Sequence, residues 1–250
     1  MSETQIKTET QIRVAIVTGG SRGIGRGIAE ALLADGWCVH LCSKNPASVE
    51  EALRELREGL AGQGDRVQGR AVDVRSQEEV DAFVRGVLDR EGRIDCLVNN
   101  AGLAHFGPVD ELTGDQWREV IETNLSGYFY FLRAVAAAMK ERGEGWIFNV
   151  ASLAGKNPFA GGAAYNASKF GVIGLSEAAM LDLRQYGVRV AALLPGSVAT
   201  DFSHPSGGGQ KDQSWKLQPA DIAAMILHLL AYPPNALPSL VEMRPARPPK

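Results

Sequence analysis

Tyrosine and lysine stand four residues apart in Tyr165-Asn-Ala-Ser-Lys169, a spacing that places phenol and ammonium on one face of a helix. A neighbouring cation favours the phenolate, so it draws the phenol pKa down from its ordinary value of about 10. A phenol tuned this way can give its proton to a carbonyl oxygen while hydride arrives at the carbon. Ser152 closes the strand before that helix and can donate to the same oxygen. Asn124 lies in the preceding helical stretch and could complete a polar relay. Taken singly, Ser152 is a turn residue and Asn124 a misfit in an apolar helix. Taken together, the four residues Asn124, Ser152, Tyr165 and Lys169 describe acid/base chemistry at a carbonyl.

A second cluster suits a phosphate. Thr18-Gly-Gly-Ser-Arg-Gly-Ile-Gly25 follows an apolar strand and opens an amphipathic helix, with glycines at Gly19, Gly23 and Gly25. Such a turn needs positive φ and close backbone approach, and the helix beyond it offers free N–H groups and the positive end of its dipole. A 2′-hydroxyl on the cofactor ribose calls for an acid at the end of the second strand, and a 2′-phosphate calls for a base. That strand ends Leu41-Cys-Ser43-Lys44, with no carboxylate, and Arg22 lies within the glycine turn. Two cations and no anion favour NADP(H).

Both clusters need strands to end where they stand, and the chain supplies them. Residues 13–18 read as a buried strand, and Ile24, Ile28 and Leu32 as the inner face of a helix ended by Gly36. Val39 to Cys42 is a second strand. Asn45-Pro46 caps a helix with Val49, Leu53, Leu56 and Leu60 inward. Val67 to Val74 is strand-like, and Ser76 to Glu79 is a capping box opening a helix with Val80, Phe83, Val84 and Val87 inside. Strands follow at 94–98, 146–151, 189–194 and 239–244. Helices span Thr113 to about Lys140, Ala163 to about Leu183, and Pro219 to Leu230. Alternating apolar strands and helices predict a single doubly wound, Rossmann-type α/β domain over residues 13–250, its parallel sheet flanked by helices on both faces. Residues 1–12 are expected to be a flexible tail, and a glycine-rich stretch at about 201–218 a substrate loop that closes as a lid.

Composition excludes several classes. With 45% hydrophobic and 22% charged residues, the 250-residue chain is an ordinary globule, and a formal charge of −3 gives no sign of a nucleic-acid binder. There are 28 glycines, an excess that fits tight turns and backbone pressed against a ligand. Cys38, Cys42 and Cys96 are too few for a disulfide framework, and no His/Cys spacing resembles a metal site. No apolar run is long enough to cross a membrane, and the polar start is not a signal peptide, so the expected setting is cytoplasmic.

The whole chain resembles the short-chain dehydrogenase/reductase family. The matching segments are Thr18 to Gly25, Asp73-Val74, Asn99-Asn-Ala-Gly102, Asn124, Ser152, Tyr165 with Lys169, and Pro195-Gly-Ser-Val-Ala-Thr200, in the family's order. The resemblance implies that Gly19, Ser21, Arg22, Gly23, Ile24, Gly25, Ser43 and Lys44 hold the cofactor phosphates. It implies that Asp73 and Val74 meet adenine and that Asn100, Ala101 and Gly102 line its ribose. Lys169 and Tyr165 would hold the nicotinamide ribose, and Pro195, Gly196, Val198 and Thr200 would cradle the nicotinamide amide. Tyr165 would be the acid/base, Ser152 would hold the substrate oxygen, and Asn124 would hold a relay water. The family also implies B-face hydride transfer and pairing through the helices of Asn124 and Tyr165 into a homodimer or homotetramer.

Within the family the chain is similar to 3-oxoacyl-[acyl-carrier-protein] reductases, although its end, Leu237 to Pro245, departs from theirs. The expected activity is NADPH-dependent reduction of a ketone, 3-oxoacyl thioester-like or otherwise apolar, to a secondary alcohol. An NAD(P)-linked dehydrogenase of a small hydroxy acid or alcohol and a non-catalytic cofactor sensor are the alternatives. His105, Phe106, Phe159 and Trp215 are the expected pocket residues, and their types favour a small-molecule carbonyl of apolar character.

Overall fold

The structure, a computed structural model, describes residues 12–60, 62–200, 202 and 213–248. The expected tail, apart from Ile12, and most of the expected lid loop lie outside the described residues. Among the described residues, seven strands, β1 (Val14–Thr18), β2 (Cys38–Ser43), β3 (Val67–Ala71), β4 (Cys96–Asn99), β5 (Gly145–Val150), β6 (Val188–Pro195) and β7 (Leu240–Met243), form one sheet. Their order is β3-β2-β1-β4-β5-β6-β7, and every pairing is parallel. The chain leaves β1 towards β2 on one side and returns to β4 on the other. That reversal opens a crevice at the carboxyl ends of β1 and β4, the place where such sheets bind ligands.

Among the described residues, seven α-helices cover the two faces: α1 (Gly23–Ala34), α2 (Pro46–Glu58), α3 (Gln77–Glu91), α4 (Gly114–Ile121), α5 (Gly127–Arg142), α6 (Ala163–Leu183) and α7 (Pro219–Leu230). On one face Ile28 and Leu32 of α1, Val49 and Leu53 of α2, and Ile222 and Ile226 of α7 pack on Ala15, Val17 and Val39. On the other, Val80 and Phe83 of α3, Phe131 and Val135 of α5, and Ala179 and Leu183 of α6 pack on Ile16, Leu97 and Ile147. The alternation of β1 side chains between the faces explains why its whole length is buried. Among the described residues no helix is long and apolar enough to cross a membrane.

Local sequence sets most helix starts. The Asn45 side chain accepts from the Ala47 and Ser48 N–H groups ahead of Pro46. Thr113 and Gln116 form a reciprocal capping box. At α3 only half the expected box forms. Ser76 accepts from Glu79 N, but the Glu79 carboxylate accepts from Asp73 N at 2.9 Å instead of turning back to the cap. The third strand is shorter than its sequence suggests, because the chain leaves the sheet after Ala71 to bring Asp73 to the crevice.

The long helix expected from Thr113 to Lys140 is interrupted. A π-turn over Glu122–Ser126 separates α4 from α5, and Asn124 lies within it. Such turns insert a residue into the helical register and often mark functional sites. Behind the site, a buried polar chain ties three elements together. Asn99 Nδ2 donates to Asn149 Oδ1 at 2.9 Å, and Asn149 Nδ2 donates to Ser176 Oγ at 2.9 Å. It fixes β4, β5 and α6 relative to one another, and those elements carry the candidate residues.

Candidate active site

At the carboxyl end of β1 the glycine turn is built for close approach. Gly19 and Gly23 have φ of +64° and +56°, values that side-chain-bearing residues rarely adopt. A Cβ on Gly25 would lie 2.3 Å from the Gly19 carbonyl oxygen, so this position must be glycine for the turn to close. Arg22 is the N-cap of α1 but makes no side-chain capping bond, and the first turn holds no acid. The helix therefore presents uncapped N–H groups and its positive end. Thr18 Oγ1 accepts from Asn100 N at 2.9 Å and Ala101 N at 3.0 Å, which locks the turn after β4 to the glycine turn.

At the end of β2, Ser21 Oγ donates to Ser43 Oγ at 3.1 Å. Lys44 extends into solvent with its ammonium 3.4 Å from Asp73 Oδ2. Arg75 grips the same carboxylate through both oxygens and holds its pKa down to about 2. Asp73 is thus a fixed acceptor for an amine at neutral pH.

At the end of β5, Ser152 accepts from Ala154 N, and its hydroxyl shares the cleft wall with the Tyr165 phenol. Burial raises the phenol pKa above its ordinary value, and the neighbouring Ser152 hydroxyl lowers it by less. Lys169 does not counter this. Its Nζ donates to the Val150 carbonyl at 2.8 Å and sits 5.7 Å from the centre of the Tyr165 ring. Burial pushes the Lys169 ammonium down to about 7, so near neutrality it holds only part of its charge. The four-residue spacing therefore brings the pair together without the phenol-lowering expected from it.

Asn124 is fully buried and committed on all sides. Its Oδ1 accepts from Leu103 N and its Nδ2 donates to Leu103 O and to Ser168 Oγ, at 2.9, 2.9 and 3.0 Å. It pins the loop after Gly102 to the helix carrying Tyr165. Both Nδ2 hydrogens are engaged, so the side chain has no donor left for a relay.

These ends face one continuous cleft of about 910 Å³. It is lined by Gly19, Ser21, Arg22, Gly23, Ile24, Ser43, Lys44, Asp73 and Val74 at one end. Asn100, Ala101, Gly102, Ser152, Tyr165, Lys169, Pro195, Gly196, Val198 and Thr200 continue it, and Phe106 and Phe159 close the other end. Gly25 supports the glycine turn from behind and Asn124 lies beneath the wall. Two expected pocket residues are elsewhere. His105 turns away to Glu119 Oε2, 2.9 Å distant, in a separate shallow cleft, and Trp215 lies beside the Lys216 ammonium outside the lining. Lining residues not foreseen include Arg75, Glu119, Phe202 and Lys216. Only Arg75 had a local signal, its place two residues after Asp73.

Cys38, His40 and Glu91 bring ligand-type atoms within 4.8 Å of one another at the amino end of β2, away from the cleft. Glu91 arrives from the last residue of α3, and His40 Nε2 shares a 2.9 Å hydrogen bond with it.

A doubly wound sheet with a phosphate-type turn at one end of its crevice and a Ser–Tyr–Lys set at the other defines a nucleotide-dependent oxidoreductase. Residues 13–211 match the family model of the short chain dehydrogenases, and the chain belongs to that family. It is 43% identical over 192 residues to a Streptomyces coelicolor chain provisionally named a ketoacyl reductase, covering 76% of this chain and 72% of that one. It is 35% identical over 233 residues to the 3-oxoacyl-[acyl-carrier-protein] reductase of Synechocystis, covering 92% and 93%. A solved single-substitution variant of actinorhodin polyketide ketoreductase with NADPH superposes with a TM-score of 0.84 at 35% identity, covering 94% of this chain and 96% of that one.

Proposed function

We propose that the protein is an NADPH-dependent carbonyl reductase that converts a ketone to a secondary alcohol. The observation that carries this reading is the Tyr165 phenol beside Ser152 at the wall of a cleft whose far end holds the uncapped α1 N-terminus. The glycine turn, which a Cβ would fill, and the Arg22 and Lys44 cations suit a pyrophosphate and a 2′-phosphate. The NADPH bound to the actinorhodin ketoreductase supports that choice. When bound, the nicotinamide supplies the hydride.

The chain's own groups do the rest. The raised pKa keeps the Tyr165 phenol protonated at neutral pH, so it can deliver its proton to the carbonyl oxygen. Ser152 donates to the same oxygen and stabilises the charge that develops there. Lys169, anchored on Val150, keeps hydrogens free for ribose hydroxyls. Asn124 positions the Leu103 loop and the α6 helix around the reacting carbon. Pro195, Gly196, Val198 and Thr200 form the cradle for the nicotinamide amide.

Phe129 of α5 and Phe170 of α6 are exposed on the helices that flank the site. Their exposure supports pairing with a second copy across those helices. The test of the proposal is NADPH consumption with a ketone panel, using wild type and Tyr165→Phe. Turnover should fall at least about 10³-fold in the variant while NADPH binding persists. Full turnover in Tyr165→Phe overturns the assignment.

A further inference from the structure

Three phenylalanine rings surround the Tyr165 ring at the mouth of the cleft. Phe106 meets it edge-on at 6.0 Å between centroids, Phe159 lies at 6.5 Å and Phe202 at 5.7 Å. Phe106 and Phe159 also touch each other, at 5.9 Å. All three are exposed, at 51%, 47% and 37% for Phe106, Phe159 and Phe202, so a large apolar area beside the reactive phenol is open to water. Isolated exposed aromatics are ordinary, but a contiguous group beside a reactive side chain marks a binding surface.

The wall is built rather than accidental. Gly107 N donates to Gly161 O at 2.9 Å, and Gly107 pairs with Gly162 in a parallel bridge. This stitches the Phe106 loop to the Phe159 loop. Gly161 has a φ of +75°, which lets the second loop turn. A Cβ on Gly162 would lie 2.6 Å from the Phe159 ring, so the missing side chain makes room for that ring. Asn166, the residue after Tyr165, is buried at 7% exposure, and its Nδ2 donates to Phe159 O at 2.9 Å. Its own N–H donates to Gly162 O at 2.7 Å, the first turn of α6, so the side-chain bond is what ties the helix to the Phe159 loop. Its Oδ1 is buried without a partner, which leaves the bond to Phe159 as the side chain's anchoring contact.

We infer that Phe106, Phe159 and Phe202 form a subsite for a carbocyclic or aromatic ring joined to the carbonyl, and that Asn166 is a positioning residue that holds it. The inference rests on the carbonyl-reductase reading and names its substrate class. Edge-to-face and offset contacts from the wall would fix the plane of such a ring and so present its carbonyl to Tyr165 and Ser152. An open-chain ketone of few carbons meets little of this surface. Loss of one ring should therefore cost a cyclic substrate about tenfold in affinity.

The experiment compares 1-indanone and butanone as substrates, with NADPH saturating, for wild type, Phe159→Ala, Asn166→Ala and Asn166→Asp. The indanone-to-butanone ratio of kcat/KM should fall about tenfold in Phe159→Ala, through KM for indanone. Both Asn166 variants lose the donor to Phe159 O and should lower the same ratio about threefold to tenfold. Binding of 1-indanol to the NADP+-saturated protein, followed by calorimetry, should weaken in the same order. Equal losses on both ketones, or an unchanged ratio, would overturn the subsite, as would wild type that binds no indanol. Wild type that binds indanol but consumes NADPH with no ketone would overturn the reductase reading and leave the ring subsite standing.

Discussion

Lys169 is a buried amine, and the cost of charging it has a pH signature. It is buried, and its pKa of about 7 in the folded chain compares with 10.5 for the free side chain. Between those values the unfolded chain binds a proton that the folded chain does not. Stability contributed by this site therefore rises with pH across that window, by about 1.4 kcal/mol per pH unit. The penalty is full below about pH 7 and vanishes above pH 10.5. Lys169→Met keeps the length of the side chain and removes the charge. The Val150 carbonyl loses the ammonium but keeps the Tyr128 hydroxyl, which donates to it at 3.1 Å, so the pH-independent cost is small. The variant should then be more stable than wild type by about 4 kcal/mol at pH 7 and by about 2 kcal/mol at pH 9. Urea unfolding of the cofactor-free proteins at both pH values measures the two gaps. Taking the difference between variant and wild type cancels every other titrating group. A gap of the same size at both pH values would refute the desolvation of Lys169. The same substitution should abolish turnover, a stabilisation obtained at the expense of function.

Gly25→Ala should destabilise the protein by about 3 kcal/mol, because its Cβ would meet the Gly19 carbonyl at 2.3 Å, and thermal unfolding checks it. The same variant should bind NADPH at least about tenfold more weakly, because the turn that approaches the phosphates can no longer close. The double substitution Arg22→Ala with Lys44→Ala should weaken NADPH about tenfold or more and leave NADH nearly unchanged, measured by fluorescence titration. Asn149→Ala should cost about 1–2 kcal/mol in urea unfolding, since it removes two buried hydrogen bonds while Asn99 Nδ2 keeps the Tyr128 carbonyl and Ser176 Oγ keeps the Val172 carbonyl.

Much of the fold was written locally. Asn45-Pro46 and Thr113 to Gln116 cap their helices as their sequences state, and the glycine turn stands between strand and helix as its spacing requires. The parallel sheet followed from apolar strands alternating with helices, and its order put both candidate clusters at one crevice. The π-turn at Asn124 was not legible, because its altered register is compensated by Leu103 and Ser168, 21 and 44 residues away. The direction of the Tyr165 shift was missed for a related reason. Spacing shows that Lys169 is near, but only the packed structure shows how fully both groups are desolvated. His105 has a pocket-lining sequence position, yet the carboxylate of Glu119 draws it aside. Phe202 reaches the Tyr165 ring from a distant segment, a contact no local pattern encodes.

Hydride transfer to a carbonyl with Tyr165 supplying the proton can be followed with deuterium. Wild type would be given a ketone and NADPH deuterated at the B face of the nicotinamide ring, and the alcohol analysed by mass spectrometry. Deuterium should appear on the carbinol carbon with wild type, and almost no alcohol should form with Tyr165→Phe. Alcohol formed without deuterium would contradict B-face transfer, and equal yield from the variant would contradict the role of Tyr165.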